Sequence, residues 1–259
     1  MTRPWRIDEV RSLGFRTDVM LRRMAGSDIE ERTGCLVVRT PTNPGFWWGN
    51  FVLFAGPPTG TDALAVFAAE FPGAAHVAIG VDGTDGILGD AFVDLGLTVE
   101  VNSVLTAEQL RAPSPGPTVR PLSTDDDWSQ AIELRLACYY ETPTPDERQF
   151  TELQVIEERR LCEAGHGTWY GAFVEGRMRS GAGLFREGDL ARFQSVETHP
   201  DFRRRGLASA VLSRAAEREP GARTLVIVAD PDDQAIRLYR ALGFAEAERQ
   251  IQLYRAPGS

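Results

Sequence analysis

The chain has 259 residues, 42% of them hydrophobic, with 37 acidic and 28 basic side chains and a formal net charge of −9. The length suits two ordinary domains with cores of their own, the acidic balance argues against a nucleic-acid partner, and no apolar run reaches the roughly 18 residues of a membrane span. Residues Met1 to Arg16 lack the apolar core of a signal segment, and Cys35, Cys138 and Cys162 are scattered without metal-ligand spacing, so free thiols in a reducing cytoplasm and no metal site are expected. Lysine is absent, so every basic side chain is an arginine.

In chain order, residues 1–110 form a first part. Its oddest stretch is Asn43-Pro44-Gly45-Phe46-Trp47-Trp48-Gly49-Asn50. Aromatics beside glycines fit packing across a domain interface better than the lining of a substrate channel. Residues 111–117, RAPSPGP, are a linker by composition. Thr118 to Leu122 reads as a first strand, with Pro121 confining it to an edge or cutting it short. Ser123 and Thr124 open an acidic first turn that resembles a capping box. Helical patterns follow over 126–140 and 145–164. Residues 168–174, 178–185 and 191–196, separated by Glu-Gly turns, predict a meander of three antiparallel strands.

The third of these strands runs into Asp201-Phe202-Arg203-Arg204-Arg205-Gly206-Leu207-Ala208-Ser209 and then a helix over 208–218. A helix start leaves backbone N–H groups without partners and carries the positive end of the macrodipole. Gly206 lets backbone approach an anion without a side chain in the way, and the three arginines add charge with bidentate geometry. A polyphosphate is the expected ligand. The loop is neither GxxxxGK[ST] nor GxGxxG. Thr224 to Ala229 is then a buried strand by pattern, Ala235, Leu238, Tyr239 and Leu242 share one helix face, Gly243 stops that helix, and Ile251 to Tyr254 is a last strand.

The spacing R-x-x-G-x-A at Arg203, Gly206 and Ala208 resembles the acetyl-CoA pyrophosphate loop of the GNAT superfamily of N-acetyltransferases. The helix matches that superfamily's second signature at Ala235, Leu238, Tyr239, Leu242, Gly243 and Phe244, with Asp232 where an asparagine is usual. The resemblance covers roughly residues 118–256 and implies an α+β fold in α/β/α layers, a mixed and mostly antiparallel sheet flanked by helices. A shift of 147 residues aligns the first part with the second without a gap: Ala68-Ala69-Glu70 falls on Ala215-Ala216-Glu217, Val81 on Val228, and Leu95-Gly96-Leu97 on Leu242-Gly243-Phe244. The chain therefore reads as two tandem GNAT-like repeats, over 1–110 and 118–259. In the first, Gly56-Pro57-Pro58-Thr59-Gly60-Thr61 replaces the basic loop and Phe92 replaces Tyr239. Proline offers no N–H, so this half is expected to be degenerate.

What the resemblance implies chemically is transfer of an acetyl group from acetyl-CoA to a primary amine of a small molecule or peptide, without a metal. Arg203, Arg204, Arg205, Gly206, Leu207, Ala208 and Ser209 would hold the pyrophosphate; Val196 and Thr198 would pair with pantetheine; Asp232 and Tyr239 complete the cofactor-binding set. Tyr239 would protonate the leaving thiolate. Glu197 is the candidate base, since relatives often carry a glutamate where Gln194 stands here. Strand alternation puts Glu197 on the opposite face from Gln194 unless a bulge intervenes, so solvent exposure of Glu197 and deprotonation through water stay open. Carboxylates from Glu141 to Glu163 could make an acidic mouth for a cationic amine or simply face solvent. His166 and His199 read as loop residues. A homodimer is compatible with the resemblance. A non-catalytic acetyl-CoA sensor is the alternative function.

Overall fold

The computed structural model describes residues 3–83, 85, 90–111 and 117–257. Residues 112–116 of the expected linker lie outside the described residues. The chain divides into two compact units. One gathers Met1–Leu105, Val228–Asp233 and Glu246–Ser259; the other gathers Thr106–Ile227 and Gln234–Ala245.

In the first unit, helix α1 (Leu13–Met24) is followed by strands β1 (Asp28–Arg32), β2 (Cys35–Arg39) and β3 (Phe51–Phe54), helix α2 (Gly60–Glu70), strand β4 (Val77–Val81) and strand β5 (Thr98–Ala107). Strands β1 to β3 pair antiparallel, and α2 makes the crossover that lets β4 run parallel to β3. The whole of β2, β3 and β4 is buried apart from Arg39. Gly80 on β4 is a glycine for a packing reason: a Cβ there would sit 2.6 Å from the Phe15 ring of α1. Asp82, at the end of β4, is buried and accepts the backbone N–H groups of Arg11 and Ser12 and the Arg11 guanidinium, so its charge is matched.

In the second unit, β6 (Thr118–Pro121) ends at its proline and, among the described residues, pairs only with β7 (Gly167–Val174). Helix α3 (Asp125–Tyr139) starts in a capping box between Thr124 and Asp127. Asp127 also takes two bonds from Arg120, at 2.6 and 2.8 Å, which hold its carboxyl well below the usual range. Helix α4 (Pro145–Glu163) starts the same way, with Thr144 as cap and Pro145 at the first position. Strands β7, β8 (Arg177–Glu187) and β9 (Leu190–Thr198) form the expected meander, and helix α5 (Leu207–Glu217) carries the chain to β10 (Thr224–Ala229), parallel to β9. Helix α6 (Ala235–Leu242) ends at Gly243 in the left-handed region, φ 109°, and β11 (Ala245–Arg255) follows.

Trp169 and Tyr170, neighbours on β7, point to opposite faces. Trp169 meets Trp128 of α3, whereas Tyr170 lies near Glu219, just beyond α5, and burial raises its pKa. Helices α3 and α4 thus cover one face and α5 the other, the layered α+β architecture expected from the sequence.

The shift of 147 residues carries α2 onto α5, β4 onto the start of β10 and β5 onto β11. The repeat in sequence is a repeat of elements. The units in space follow a different boundary, because β11 pairs antiparallel with β4, from Ile251↔Val81 to Arg255↔Val77. The last strand of the second repeat is built into the sheet of the first.

Candidate active site

Pairing between β9 and β10 runs only from Thr224↔Leu190 to Val226↔Arg192. Beyond it the two strands part. The edge of β9 from Phe193 to Thr198 has no partner strand on that side among the described residues, which leaves peptide groups free to pair with an extended ligand.

The same stretch contains a β-bulge. Gly183 faces Gln194 and Gly181 faces Glu197, so the single residue Ala182 opposes both Ser195 and Val196. Ser195 adopts a left-handed conformation, φ 48°, which costs on the order of 1–3 kcal/mol for a residue other than glycine. The bulge resolves the question left by strand alternation: Gln194 and Glu197 lie on one face, toward α3 and α4. Glu197 does not face solvent; it is 3% exposed.

Its partner is Arg135 of α3, 4% exposed, whose Nε donates to Glu197 Oε1 at 2.6 Å. The same guanidinium donates through Nη2 to both oxygens of Glu158 on α4, at 3.1 and 2.9 Å. Ser195 Oγ donates to Glu158 Oε1 at 3.1 Å. One cation therefore serves a buried carboxylate, Glu197, and a half-buried one, Glu158. Burial pushes Glu197 up to about 7, Arg135 pulls it back in part, and the nearby Glu158 charge raises it further. Burial raises Glu158 too. Glu197 Oε2 is buried without a hydrogen-bond partner, so this carboxylate holds an unused acceptor. Cys138, next to these groups, has its thiol pushed up to about 11, chiefly by burial, and stays protonated at neutral pH.

At the end of β9, Arg204 and Gly206 both turn through left-handed backbone, φ 60° and 76°. Gly206 is the N-cap of α5 and, having no side chain, leaves the first-turn N–H groups uncapped. Arg203, Arg204 and Arg205 are exposed, and none pairs with a carboxylate among the described residues. Arg205 donates to the Asp201 carbonyl and lies 4.6 Å from the Phe202 ring centroid, with Arg179 at 4.5 Å from the same ring. Three guanidiniums without a carboxylate partner among the described residues surround an uncapped helix start, which gives this surface positive charge and free N–H donors.

Tyr239 is buried on α6, its ring 6.2 Å from Phe244, which in turn lies 6.1 Å from Phe193, two residues before Ser195. Thr198 Oγ1 bonds Ser180 Oγ at 2.9 Å and Val196 is half-buried in the bulge. Asp232 is exposed in the turn before α6, its amide held by Asp230 Oδ1 at 2.9 Å. His199 accepts from the Asp201 amide and stacks edge-on to Phe202. With Arg177 and Arg179 it lines one wall of a cleft of about 400 Å³ whose other wall, on α3, includes Asp126 and Glu133.

Arg135 and Ser195 are the site residues that sequence reasoning missed, while Glu158 was among the carboxylates of the expected acidic mouth. The signal for Arg135 was available: a single charge in Leu134-Arg135-Leu136-Ala137-Cys138 must find a carboxylate if that helix face is buried. Of the expected acidic mouth, Glu147 caps α4, Glu163 pairs with Arg159, and Glu158 reaches the bulge through Ser195.

In the first repeat the equivalent helix start is closed. Thr59 caps α2, its side chain accepting from the Asp62 N–H, and Asp62 adds a negative charge in the first turn. Phe92 is buried in the apolar core.

Residues 128–244 match the model of the Acetyltransferase (GNAT) family. Over these residues, less than half of the chain, the protein is similar to the GNAT superfamily. Solved structures with the same fold include a functionally unknown conserved protein from Staphylococcus epidermidis ATCC 12228, at TM-score 0.70 and 10% identity over 89% of this chain and 94% of that one. A GCN5-related N-acetyltransferase from Kribbella flavida gives TM-score 0.63 and 17% identity over 93% and 96%. A tandem GNAT protein from the clavulanic acid biosynthesis pathway gives 0.53 and 13% over 99% and 98%, so a GNAT fold in two repeats has a full-length counterpart. Comparison with curated proteins gives no match. GNAT proteins are acetyl-CoA-dependent acyltransferases as a class, and no helix among the described residues is long and apolar enough to cross a membrane.

Proposed function

We propose that this protein is an acyl-CoA-dependent N-acetyltransferase acting on a primary amine of a small molecule or peptide, with one working site, in the second repeat. The observation that carries the reading is the uncapped start of α5 among three unpaired arginines, directly after the bulged free edge of β9.

The residues fit acetyl-CoA. Arg203 to Ser209 would hold the pyrophosphate, the free edge at Val196 and Thr198 would pair with pantetheine, and the Val196 amide would donate to the thioester oxygen as it gains charge. Glu197, through its unpartnered Oε2, would take the proton that the ammonium must lose, directly or through water. The amine nitrogen then bonds to the acyl carbon as the carbon–sulfur bond breaks, Tyr239 gives the departing sulfur a proton, and the second proton lost by the nitrogen passes through water to restore the tyrosine hydroxyl. The products are an amide and free CoA thiol. Asp232 takes the place of an asparagine at the edge of this set. The free cysteines suit a reducing cytoplasm.

A non-catalytic acetyl-CoA sensor is the second reading, favoured by Gln194, which cannot accept a proton. Two measurements separate the readings. Calorimetry with acetyl-CoA should show binding in either case. Thiol release across a panel of amines should be positive only for the enzyme; a protein that binds neither acetyl-CoA nor CoA overturns both.

A further inference from the structure

The bulge in β9 is tied at both ends to the helices through one guanidinium. Ser195, its left-handed residue, donates to Glu158 of α4 at 3.1 Å. Glu197, two residues on, accepts from Arg135 of α3 at 2.6 Å. Arg135 and Glu158 are joined in turn by two bonds at 2.9 and 3.1 Å. The four side chains form a closed clamp, Ser195–Glu158–Arg135–Glu197, and the one residue it spans without touching is Val196.

We propose that Arg135, Glu158 and Ser195 are positioning residues: the clamp fixes the bulge and with it the direction of the Val196 amide, the group that would polarise the acyl carbonyl. This inference rests on the acetyltransferase reading and deepens it. The physical case has three parts. A serine at φ 48° relaxes toward ordinary extended backbone unless something holds it. The bulge interrupts the β8–β9 ladder, and the opposite edge of β9 has no partner strand there among the described residues, so a continuous ladder holds it on neither side. The Arg135–Glu197 bond is buried, the other clamp bonds are part-buried, and all are charge-assisted, hence strong. The space for the clamp comes from Gly181 and Gly183, opposite the bulge, where any Cβ would meet Trp169 at 3.0 and 2.8 Å; the Trp169 ring in turn lies 5.4 Å from the Arg135 guanidinium.

The test needs no acceptor. Acetyl-CoA carrying a ¹³C label in the acetyl carbonyl is bound to wild type, Ser195→Ala, Ser195→Gly, Glu158→Leu and Glu158→Gln, and the carbonyl band is read by infrared difference spectroscopy. Affinity for free CoA, measured by calorimetry, is the control for the pyrophosphate loop. Wild type should shift the band to lower frequency. Ser195→Ala and Glu158→Leu should lose most of the shift while CoA affinity stays within about twofold. Glu158→Gln still accepts from Ser195 and should retain much of the shift. Ser195→Gly tolerates the left-handed backbone and folds without strain, yet lacks the tether, so it should lose the shift as well; this variant keeps the test open if Glu158→Leu is poorly folded. A full shift in both Ser195 variants overturns the positioning role and leaves the acetyltransferase reading standing. A wild type that binds CoA and acetyl-CoA with no band shift overturns the amide role itself, and a wild type that binds neither overturns the whole reading.

Discussion

Glu197 is where burial, charge and function meet. Its carboxyl is pushed up to about 7 by burial, against the pull of Arg135 and with Glu158 and the neutral Cys138 thiol beside it. An acyl-transfer rate that depends on this base should rise as pH climbs to about 7 and level off above it. Glu197→Gln should lower the rate by about 10²–10⁴ and remove that inflection; an unchanged profile would show that the proton goes elsewhere. Stability moves the opposite way. An acid whose folded pKa exceeds its unfolded one binds more protons when folded between the two values, so its ionisation opposes folding. The Glu197 contribution should therefore favour the fold at about pH 5 over pH 7.5, and Glu197→Gln should flatten the fall in Tm across that window. Tyr239→Phe keeps the ring and its contacts with Phe244, so Tm should move little. Transfer should fall by about 10²–10⁴ while acetyl-CoA affinity stays near wild type. Turnover at the wild-type rate would remove Tyr239 from the proton path.

At the scale of elements, the sequence was most legible where local chemistry dictates local structure. Thr124 and Asp127 start α3, Pro121 ends β6 on a sheet edge, Gly243 stops α6, and the β9–loop–α5 unit begins its helix at Gly206. What alternation alone mislocated was Glu197, because one left-handed serine inverts the facing of every later residue in the strand. No sequence rule reserves that backbone for Ser195, and the side chains that hold it, Glu158 and Arg135, are distant in sequence. The anion site is a property of the element as a whole, and its variants should differ in kind. Arg204→Ala removes one exposed guanidinium and should weaken CoA binding by about 1–3 kcal/mol, with a reduced dependence on salt. A loss too small to measure would place the phosphates away from Arg204.

At the scale of the molecule, the duplication was readable because elements recur at a constant interval, whereas the exchange of β11 was not, since antiparallel pairing with β4 leaves no mark on periodicity. The exchange carries a prediction. A fragment ending at Leu110 lacks the strand that pairs with Val77–Val81 and leaves the edge of β4 open. It should show no cooperative unfolding transition, and removal of residues 246–259 from the full chain should lower protection of the β4 amides in hydrogen exchange. Retained protection would mean that β4 is held without β11. The two repeats also differ at the start of this helix. The start of α2 is closed by Thr59 and carries Asp62, while the start of α5 is open among Arg203, Arg204 and Arg205. The most direct test of a single acetyl-CoA site in the second repeat is calorimetric titration of the full chain and of Gly206→Glu, which sets a carboxylate against the pyrophosphate position. The expected result is one acetyl-CoA per wild-type chain and no binding to a folded Gly206→Glu. Two ligands per chain, or undiminished binding to Gly206→Glu, would contradict it.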